Sequence, residues 1–337
     1  MKKVAINGLG RIGRLILRNF IETPPGAPGE IEIVAANDLT PMDDLAYLMR
    51  FDSVHGRAPF EVKFGEGFLD LGGKRITVTH EKDPANLPWK ALGIDTVMEC
   101  TGAFRGRADA GKHIDAGASR VIISAPSEDV DATFIMGVNE KTYDPAKHHV
   151  VSNASCTTNS LAPTVKVMND TFGVEYLFVT TVHAYTSSQS LVDKAARKMR
   201  RGRAAAVSFI PTSTGAADAT ALVIPELKGR MNAVAVRAPV PDGSLTDIVA
   251  VLKKDVTVES LNGTFRAAAN GPLKGILDYS EEELVSADII GCPHSGVIDG
   301  LSTMVIKDRF VKVFVWYDNE YGYSHRMLDL ARHMARA

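Results

Sequence analysis

The sequence holds three cysteines, and one of them, Cys156, sits where a thiol could react. It lies in Ser152-Asn153-Ala154-Ser155-Cys156-Thr157-Thr158-Asn159, a run of small polar residues leading into an apolar stretch. Ser155 or Asn153 could cap a helix that begins near Cys156. A thiol at a helix N-terminus feels the positive end of the dipole, which favours the thiolate, the nucleophilic form. Pro163 falls inside that helix and either kinks it or marks a second start. Cys100, in Val97-Met98-Glu99-Cys100-Thr101, and Cys292 read instead as inert, buried small hydrophobes. A reacting thiol needs a base. Among nine histidines, His183 ends an apolar run over residues 176–182 and opens a polar loop, Ala184-Tyr185-Thr186-Ser187-Ser188-Gln189. A functional group at a strand end beside a loop is a common site position. His148 and His149 read as solvated turn residues, and His55, His80, His113 and His333 as exposed.

A second chemical signal comes at the start of the chain. Gly8-Leu9-Gly10-Arg11-Ile12-Gly13 fits G-x-G-x-x-G, with an apolar strand before it and an amphipathic helix after it. In that context Gly8, Gly10 and Gly13 permit a tight turn, close approach to a pyrophosphate and close helix packing. The helix N-terminus then offers free N–H groups to phosphates. Asp38 ends the next strand, where a carboxylate accepts from ribose hydroxyls and repels a 2′-phosphate. The plainer alternative is a glycine turn followed by an ordinary strand-terminal Asp.

The elements that must hold these groups can be read from periodicity. Residues 3–7, 31–37, 94–99 and 121–124 read as strands, and 11–21 and 43–49 as helices. Pro24, Pro25 and Pro28 with Gly26 and Gly29 make a loop after the first helix. Residues 60–79, with Gly72-Gly73 at a turn, read as an antiparallel hairpin inserted in the sheet. Strands alternating with helices imply a doubly wound parallel sheet, a Rossmann domain. After about residue 150 the pattern changes. Residues 177–183, 233–238, 246–252 and 309–316 read as long strands, 258–270 as a helix and 323–336 as a final amphipathic helix. This half is α+β with a mostly antiparallel sheet. The expected division is a nucleotide-binding domain over 1–155 and 319–337, and a catalytic domain over 156–318.

Composition narrows the class. The chain has 337 residues, 45% hydrophobic and 23% charged, with net charge -2. These are the proportions of an ordinary globular protein, and no basic field draws it to nucleic acid or anionic lipid. No apolar run approaches the 18 or so residues that span a bilayer, and the first residues lack the features of a secretory leader. The cysteines are odd in number and widely spaced, which argues against a disulfide framework or a zinc site and for a reducing compartment, the cytoplasm by default.

With these residues in place, the chain resembles the type I phosphorylating glyceraldehyde-3-phosphate dehydrogenases. The matching stretches include Val4-Ala5-Ile6-Asn7-Gly8-Leu9-Gly10-Arg11-Ile12-Gly13-Arg14, Glu99-Cys100-Thr101-Gly102, the run around Cys156, Pro211-Thr212-Ser213-Thr214-Gly215-Ala216-Ala217 and Trp316-Tyr317-Asp318-Asn319-Glu320. They cover nearly the whole chain in order. The resemblance implies oxidation of glyceraldehyde 3-phosphate with NAD and inorganic phosphate, through a thiohemiacetal and a thioester on Cys156. His183 would be the general base. Gly8, Gly10, Arg11, Ile12 and Gly13 would meet the dinucleotide phosphates, Asp38 the adenosine ribose, and Lys82 would lie near the adenine. Thr101, Ser124 and Asn319 would complete the cofactor contacts. Thr186, Arg201 and Arg237 would hold the substrate's phosphate, and Ser155, Thr157, Thr214 and Gly215 the inorganic phosphate. The loop over 186–203 resembles the family's S-loop, and a homotetramer follows.

Four departures stand out. Ser160 replaces a common second cysteine, Ser188 a common aspartate and Lys82 a common arginine. Lys194-Ala195 replaces a Leu-Pro pair that accompanies strict NAD use, which could admit NADP, whereas Asp38 favours NAD. Two other readings compete. Erythrose-4-phosphate dehydrogenase shares the cysteine logic, but Ala184-Tyr185-Thr186 and Thr214-Gly215-Ala216-Ala217 favour the triose enzyme. A non-catalytic NAD-binding or thiol redox-sensing protein would need neither the histidine nor two anion sites.

Overall fold

In the computed structural model, residues 1–23 and 31–337 are described; the loop expected from Pro24 onward lies outside them. Contacts group the chain into two units. The first comprises Met1–Phe134, Glu140–Ala154 and Ser324–Ala337, the second Ile135–Asn139 and Ser155–Tyr323. The chain thus changes unit within its last helix, Tyr321–Arg336, a few residues beyond the boundary expected at 318.

The first unit is built on a nine-stranded sheet. Its central strand, Lys2–Asn7, pairs in parallel with Ile31–Asn37 on one side and Thr96–Glu99 on the other. Val4, Ala5 and Ile6 are fully buried, as expected where both sheet faces are covered. The helix Arg11–Glu22 buries Leu15, Ile16, Leu17 and Phe20. Arg120–Ile123, Val150–Ser152 and Ala132–Thr133 extend the parallel order outward.

The segment expected to be a hairpin is a three-stranded meander at the opposite edge, Val62–Gly65, Phe68–Leu71 and Lys74–Thr79. Gly72 and Gly73, both with positive φ, turn the last pair. Lys74–Thr79 then joins Ile31–Asn37 in parallel, so the insertion extends the sheet at its edge.

A buried polar network stiffens the ends of the central strands. The indole N–H of Trp89 donates to Nδ1 of His113 at 3.0 Å, so the proton of the neutral ring sits on Nε2. That nitrogen lies 3.1 Å from a Glu99 carboxylate oxygen. Glu99 also accepts from the Asn7 amide at 2.6 Å and the Thr101 backbone N–H at 2.8 Å. His113 is therefore fully buried, not exposed as its polar neighbours in sequence suggested. The helix Arg107–Asp115 that carries it has a weakly apolar face, which hid it from a periodicity reading.

The second unit is a seven-stranded sheet whose pairings are mostly antiparallel. An interior strand, Val174–Ala184, is flanked by Met231–Ala238 in parallel and by the middle strand, Ser244–Leu252, antiparallel. Leu177, Val179, Thr181 and His183 are buried at alternate positions, and Phe178 between them is exposed. The helices Cys156–Phe172 and Val258–Asn270 pack together and against the sheet. Gly296–Ile306, one of the longest strands, escapes a sequence reading because Gly296, Gly300 and Ser302 break its apolar run and its register with Phe310–Tyr317 shifts. Among the described residues, no helix is long and apolar enough to cross a membrane.

Candidate active site

Cys156 is the first residue of its helix. Ala154 before it adopts a left-handed conformation, φ +53°, rare for a residue with a Cβ. Such strain at a helix entry is typical of functional turns. Ser155 is the cap: its hydroxyl accepts from the Thr158 N–H at 3.1 Å. Asn153, the other candidate, does not fill that position. Pro163 lies inside one continuous helix, Cys156–Phe172, so it marks no second start.

His183 faces the thiol. Its Nε2 lies 3.4 Å from Cys156 Sγ, and its Nδ1 lies 2.7 Å from the Ala184 carbonyl oxygen. The parallel register aligns His183 with Arg237 on the neighbouring strand, and Nη1 of Arg237 reaches 2.7 Å from Nδ1. Tyr317 braces the pair from below. Its hydroxyl bonds the hydroxyls of Thr157 at 2.9 Å and Thr181 at 2.8 Å, and its ring meets the His183 ring edge-on, centroids 6.0 Å apart.

Electrostatics set the resting state. Burial pushes the Cys156 thiol up to about 11, against the pull of Arg237 and the Thr157 N–H. Desolvation thus outweighs the helix-terminal effect that favoured a resting thiolate. Burial, and then the Arg237 guanidinium, push His183 down to about 3. At neutral pH the pair is a neutral thiol against a neutral imidazole, which can accept the thiol's proton when a substrate is attacked.

Two arginines lie close enough to interact and offer donors to an anion. Arg201 and Arg237 repel each other, and burial already lowers the proton affinity of Arg237. Nε of Arg237 is buried without a hydrogen-bond partner among the described residues. Arg201 bonds Thr212 at 3.0 Å and Ser188 at 3.3 Å, and Ser188 bonds the Thr186 hydroxyl at 2.8 Å. Ser188 therefore links Thr186 to Arg201 at the position where an aspartate is common.

The other anion group is arranged differently. The Thr157 hydroxyl is taken by Tyr317, and its backbone N–H points at the Cys156 sulfur. Thr214 accepts from the Ala216 N–H at 3.2 Å, and Gly215 precedes the helix Ala216–Val223, which packs on the Cys156 helix.

The glycine loop lies in the first unit, on a cavity of about 410 Å³ lined by Gly8, Gly10, Asp38, Lys82 and Thr101 among others. A Cβ on Gly13 would meet the Gly8 carbonyl oxygen at 2.0 Å, and one on Gly8 the Thr101 nitrogen at 2.7 Å. The same methyl on Gly10 would meet nothing, so the helix entry is open there. No side chain caps that helix. The Asp38 carboxylate accepts from Leu9 N at 2.6 Å and Thr40 N at 2.9 Å, fixing the loop and turning its charge to the cavity. This cradle fits a dinucleotide.

Some expected residues contribute differently. The Arg11 side chain pairs with Asp52 at 2.6 Å. Burial opposes the charge on Asp52, yet the N–H groups of His55 and Val54 together with Arg11 hold its carboxyl down to about 2. The Arg11 guanidinium is thus engaged by a carboxylate and not by the loop. Cys100 is half-buried on the cavity wall rather than in the core, and burial beside Glu99 raises its thiol far above the usual range. Ser124 does not line that cavity; its N–H bonds the Glu99 carbonyl. Asn319 belongs to the second unit, where its amide oxygen accepts from Ser244 at 2.5 Å and Ser244 in turn accepts from the Ala184 N–H. Tyr317 and Ser244 escape the sequence reading as positioning residues, as does Asp242, which accepts from the Asn319 backbone N–H at 3.3 Å. Tyr317 lies in the stretch Trp316-Tyr317-Asp318-Asn319-Glu320, but nothing in its spacing announces the contact with Thr157.

Residues 2–107 match the family described as Glyceraldehyde 3-phosphate dehydrogenase, NAD binding domain, and residues 155–319 the one described as Glyceraldehyde 3-phosphate dehydrogenase, C-terminal domain. A glyceraldehyde-3-phosphate dehydrogenase of Geobacillus stearothermophilus is 54% identical over 333 residues, 99% of this chain and 98% of the relative. Glyceraldehyde-3-phosphate dehydrogenase 1 of Bacillus subtilis is 53% identical over 99% of this chain and 98% of its own length. One from Streptomyces coelicolor is 51% identical over 97% of both.

The buried imidazole predicts a pH dependence of stability. His183 is held down to about 3 from an ordinary 6.5, so its contribution is present above 6.5 and is lost as pH falls towards 3. The unfolding midpoint of His183→Gln should accordingly fall less than that of the unaltered protein between pH 7 and pH 4. Equal slopes in thermal unfolding would contradict the buried neutral state.

Proposed function

The chain belongs to the glyceraldehyde-3-phosphate dehydrogenase family, and from that premise we propose how its own residues carry the reaction. The protein oxidises glyceraldehyde 3-phosphate to 1,3-bisphosphoglycerate, with NAD reduced and inorganic phosphate consumed. The observation that carries the assignment of roles is the 3.4 Å approach of His183 Nε2 to Cys156 Sγ at the head of a helix.

The sulfur adds to the aldehyde carbon while His183 takes the thiol proton and delivers it to the new alkoxide, giving a thiohemiacetal. Bound NAD supplies a hydride acceptor. As hydride leaves the carbon, His183 takes the hydroxyl proton, and a thioester remains on Cys156. Phosphate oxygen then attacks the thioester carbon, the sulfur departs, and His183 returns a proton to it. Arg237, Arg201 and Thr186 hold the phosphate the aldehyde carries, because guanidinium groups bind phosphate through charge-assisted, often bidentate hydrogen bonds. Ser155, Thr157, Thr214 and Gly215 receive the attacking phosphate. Gly8, Gly10, Gly13 and the N–H groups of Arg11 and Ile12 hold the dinucleotide phosphates, with Lys82 and Thr101 on the cavity wall. Ser124 and Asn319 serve its nicotinamide end.

Asp38 makes NAD the preferred cofactor, since its carboxylate repels a 2′-phosphate, and the loss of the Leu-Pro pair at Lys194-Ala195 leaves some tolerance of NADP. A homotetramer suits the sheet of the second unit, where Phe178, Val234, Met304, Ile306 and Phe310 are exposed apolar residues. Sedimentation velocity reads that state directly. The cytoplasm suits three cysteines in no disulfide.

Cys156→Ala should abolish turnover and leave NAD affinity nearly unchanged. His183→Asn should slow hydride transfer by roughly 10²–10⁴-fold, the usual range for a positioned base. A histidine variant with the unaltered rate would refute the base assignment. For the cofactor, kcat/KM should be higher with NAD than with NADP, and the reverse order would overturn the reading of Asp38.

A further inference from the structure

The contacts among Arg237, His183 and Ala184 cannot all be favourable at once. Nη1 of Arg237 lies 2.7 Å from Nδ1 of His183 and 3.0 Å from the Ala184 carbonyl oxygen, and that oxygen lies 2.7 Å from Nδ1. A guanidinium nitrogen only donates and a carbonyl oxygen only accepts. The ring nitrogen does one or the other, according to its proton. With the proton on Nδ1, the ring donates to Ala184 but meets a second donor on Arg237. Without it, Nδ1 accepts from Arg237 but turns its lone pair on the carbonyl oxygen. Either placement leaves one like pair in contact at a buried ring, where such a contact is costly.

The two placements differ in what faces the nucleophile. A proton on Nδ1 leaves a lone pair on Nε2, 3.4 Å from Cys156 Sγ, and the ring can then take the thiol's proton. A proton on Nε2 makes the ring a donor towards sulfur and disables it as a base. We propose that Arg237 is a positioning residue that couples occupation of the substrate-phosphate site to the proton on His183. With no anion bound, Nη1 competes for Nδ1. A phosphate group that draws Nη1 to itself leaves Nδ1 bonded to Ala184 alone, and Nε2 is then free to act as the base. Three observations favour the release. Nε of Arg237 is buried and unpartnered among the described residues, Arg201 repels the Arg237 guanidinium, and Arg237 itself lowers the proton affinity of the ring. The phosphate of the substrate then acts on rate as well as on affinity. This inference rests on the assignment of Arg237 to the substrate's phosphate.

The test uses D-glyceraldehyde, which lacks the phosphate, in single-turnover formation of NADH at saturating aldehyde. Added phosphite dianion should speed the burst of the unaltered protein, with the effect in the maximal rate and not in the half-saturating aldehyde concentration. Arg237→Met should give a burst without phosphite that is faster than that of the unaltered protein, by roughly three- to tenfold, the factor that one hydrogen bond's worth of bias yields. It should no longer respond to phosphite. An arginine that only anchors phosphate predicts no gain on its removal, so a burst in the variant equal to or slower than the original overturns the proposal. If the variant fails to fold, as judged by its NAD affinity, the phosphite arm decides alone: no acceleration of the unaltered protein refutes the coupling. A protein that forms no NADH even with glyceraldehyde 3-phosphate fails the functional reading itself, an outcome distinct from these.

Discussion

The approach of the Cys156 thiol to the His183 imidazole is the contact on which the rest of the second unit depends. It needs a helix that starts at residue 156 and a strand that ends at residue 184. The left-handed turn at Ala154 and the Ser155 cap fix the first condition. The second follows from the interior place of Val174–Ala184 in the sheet, paired on both sides. Tyr317 then ties the helix to the strand through Thr157 and Thr181, so that neither group can shift without breaking a buried hydrogen bond. Loss of one such bond typically costs about 1–3 kcal/mol.

Burial is what turns this contact into chemistry. Both groups are neutral at rest because desolvation disfavours each charged form, and one proton passed between them creates two charges that attract. Arg237 acts on both: it draws the thiol towards ionisation and opposes protonation of the ring. The same side chain therefore links the nucleophile, the base and the site for an anion. In the first unit the design is complementary, with an uncapped helix terminus, glycines that permit close backbone approach and a carboxylate, Asp38, tied to the loop it faces.

Much of this was legible in the sequence, and the reasons are physical. The strand over Lys2–Asn7 and the helices Arg11–Glu22 and Val258–Asn270 carry strong periodicity, and their bounds match to within a residue or two. The G-x-G-x-x-G spacing announces its turn because the contacts at Gly8 and Gly13 leave no room for a Cβ. Harder to see were elements whose pattern is interrupted. Gly296–Ile306 has polar and glycine breaks, Arg107–Asp115 has a weak apolar face, and the meander over residues 62–79 lacks any local mark of its parallel partner. The site followed the same rule. Cys156 and Ser155 sit beside each other in the chain and could be read together. Arg237 and Tyr317 reach the site through strand register, a long-range property that spacing does not encode. The pull of the helix terminus on the Cys156 thiol is visible in sequence, whereas the burial that opposes it is not.

The central claim is that Cys156 carries an acyl group which phosphate must remove. The most direct measurement is NADH formation from glyceraldehyde 3-phosphate after phosphate has been stripped from the protein and buffer. The account predicts a burst of about one NADH per chain that then stops, with continuous turnover on adding inorganic phosphate. A steady rate without phosphate, or no burst before its addition, would contradict it.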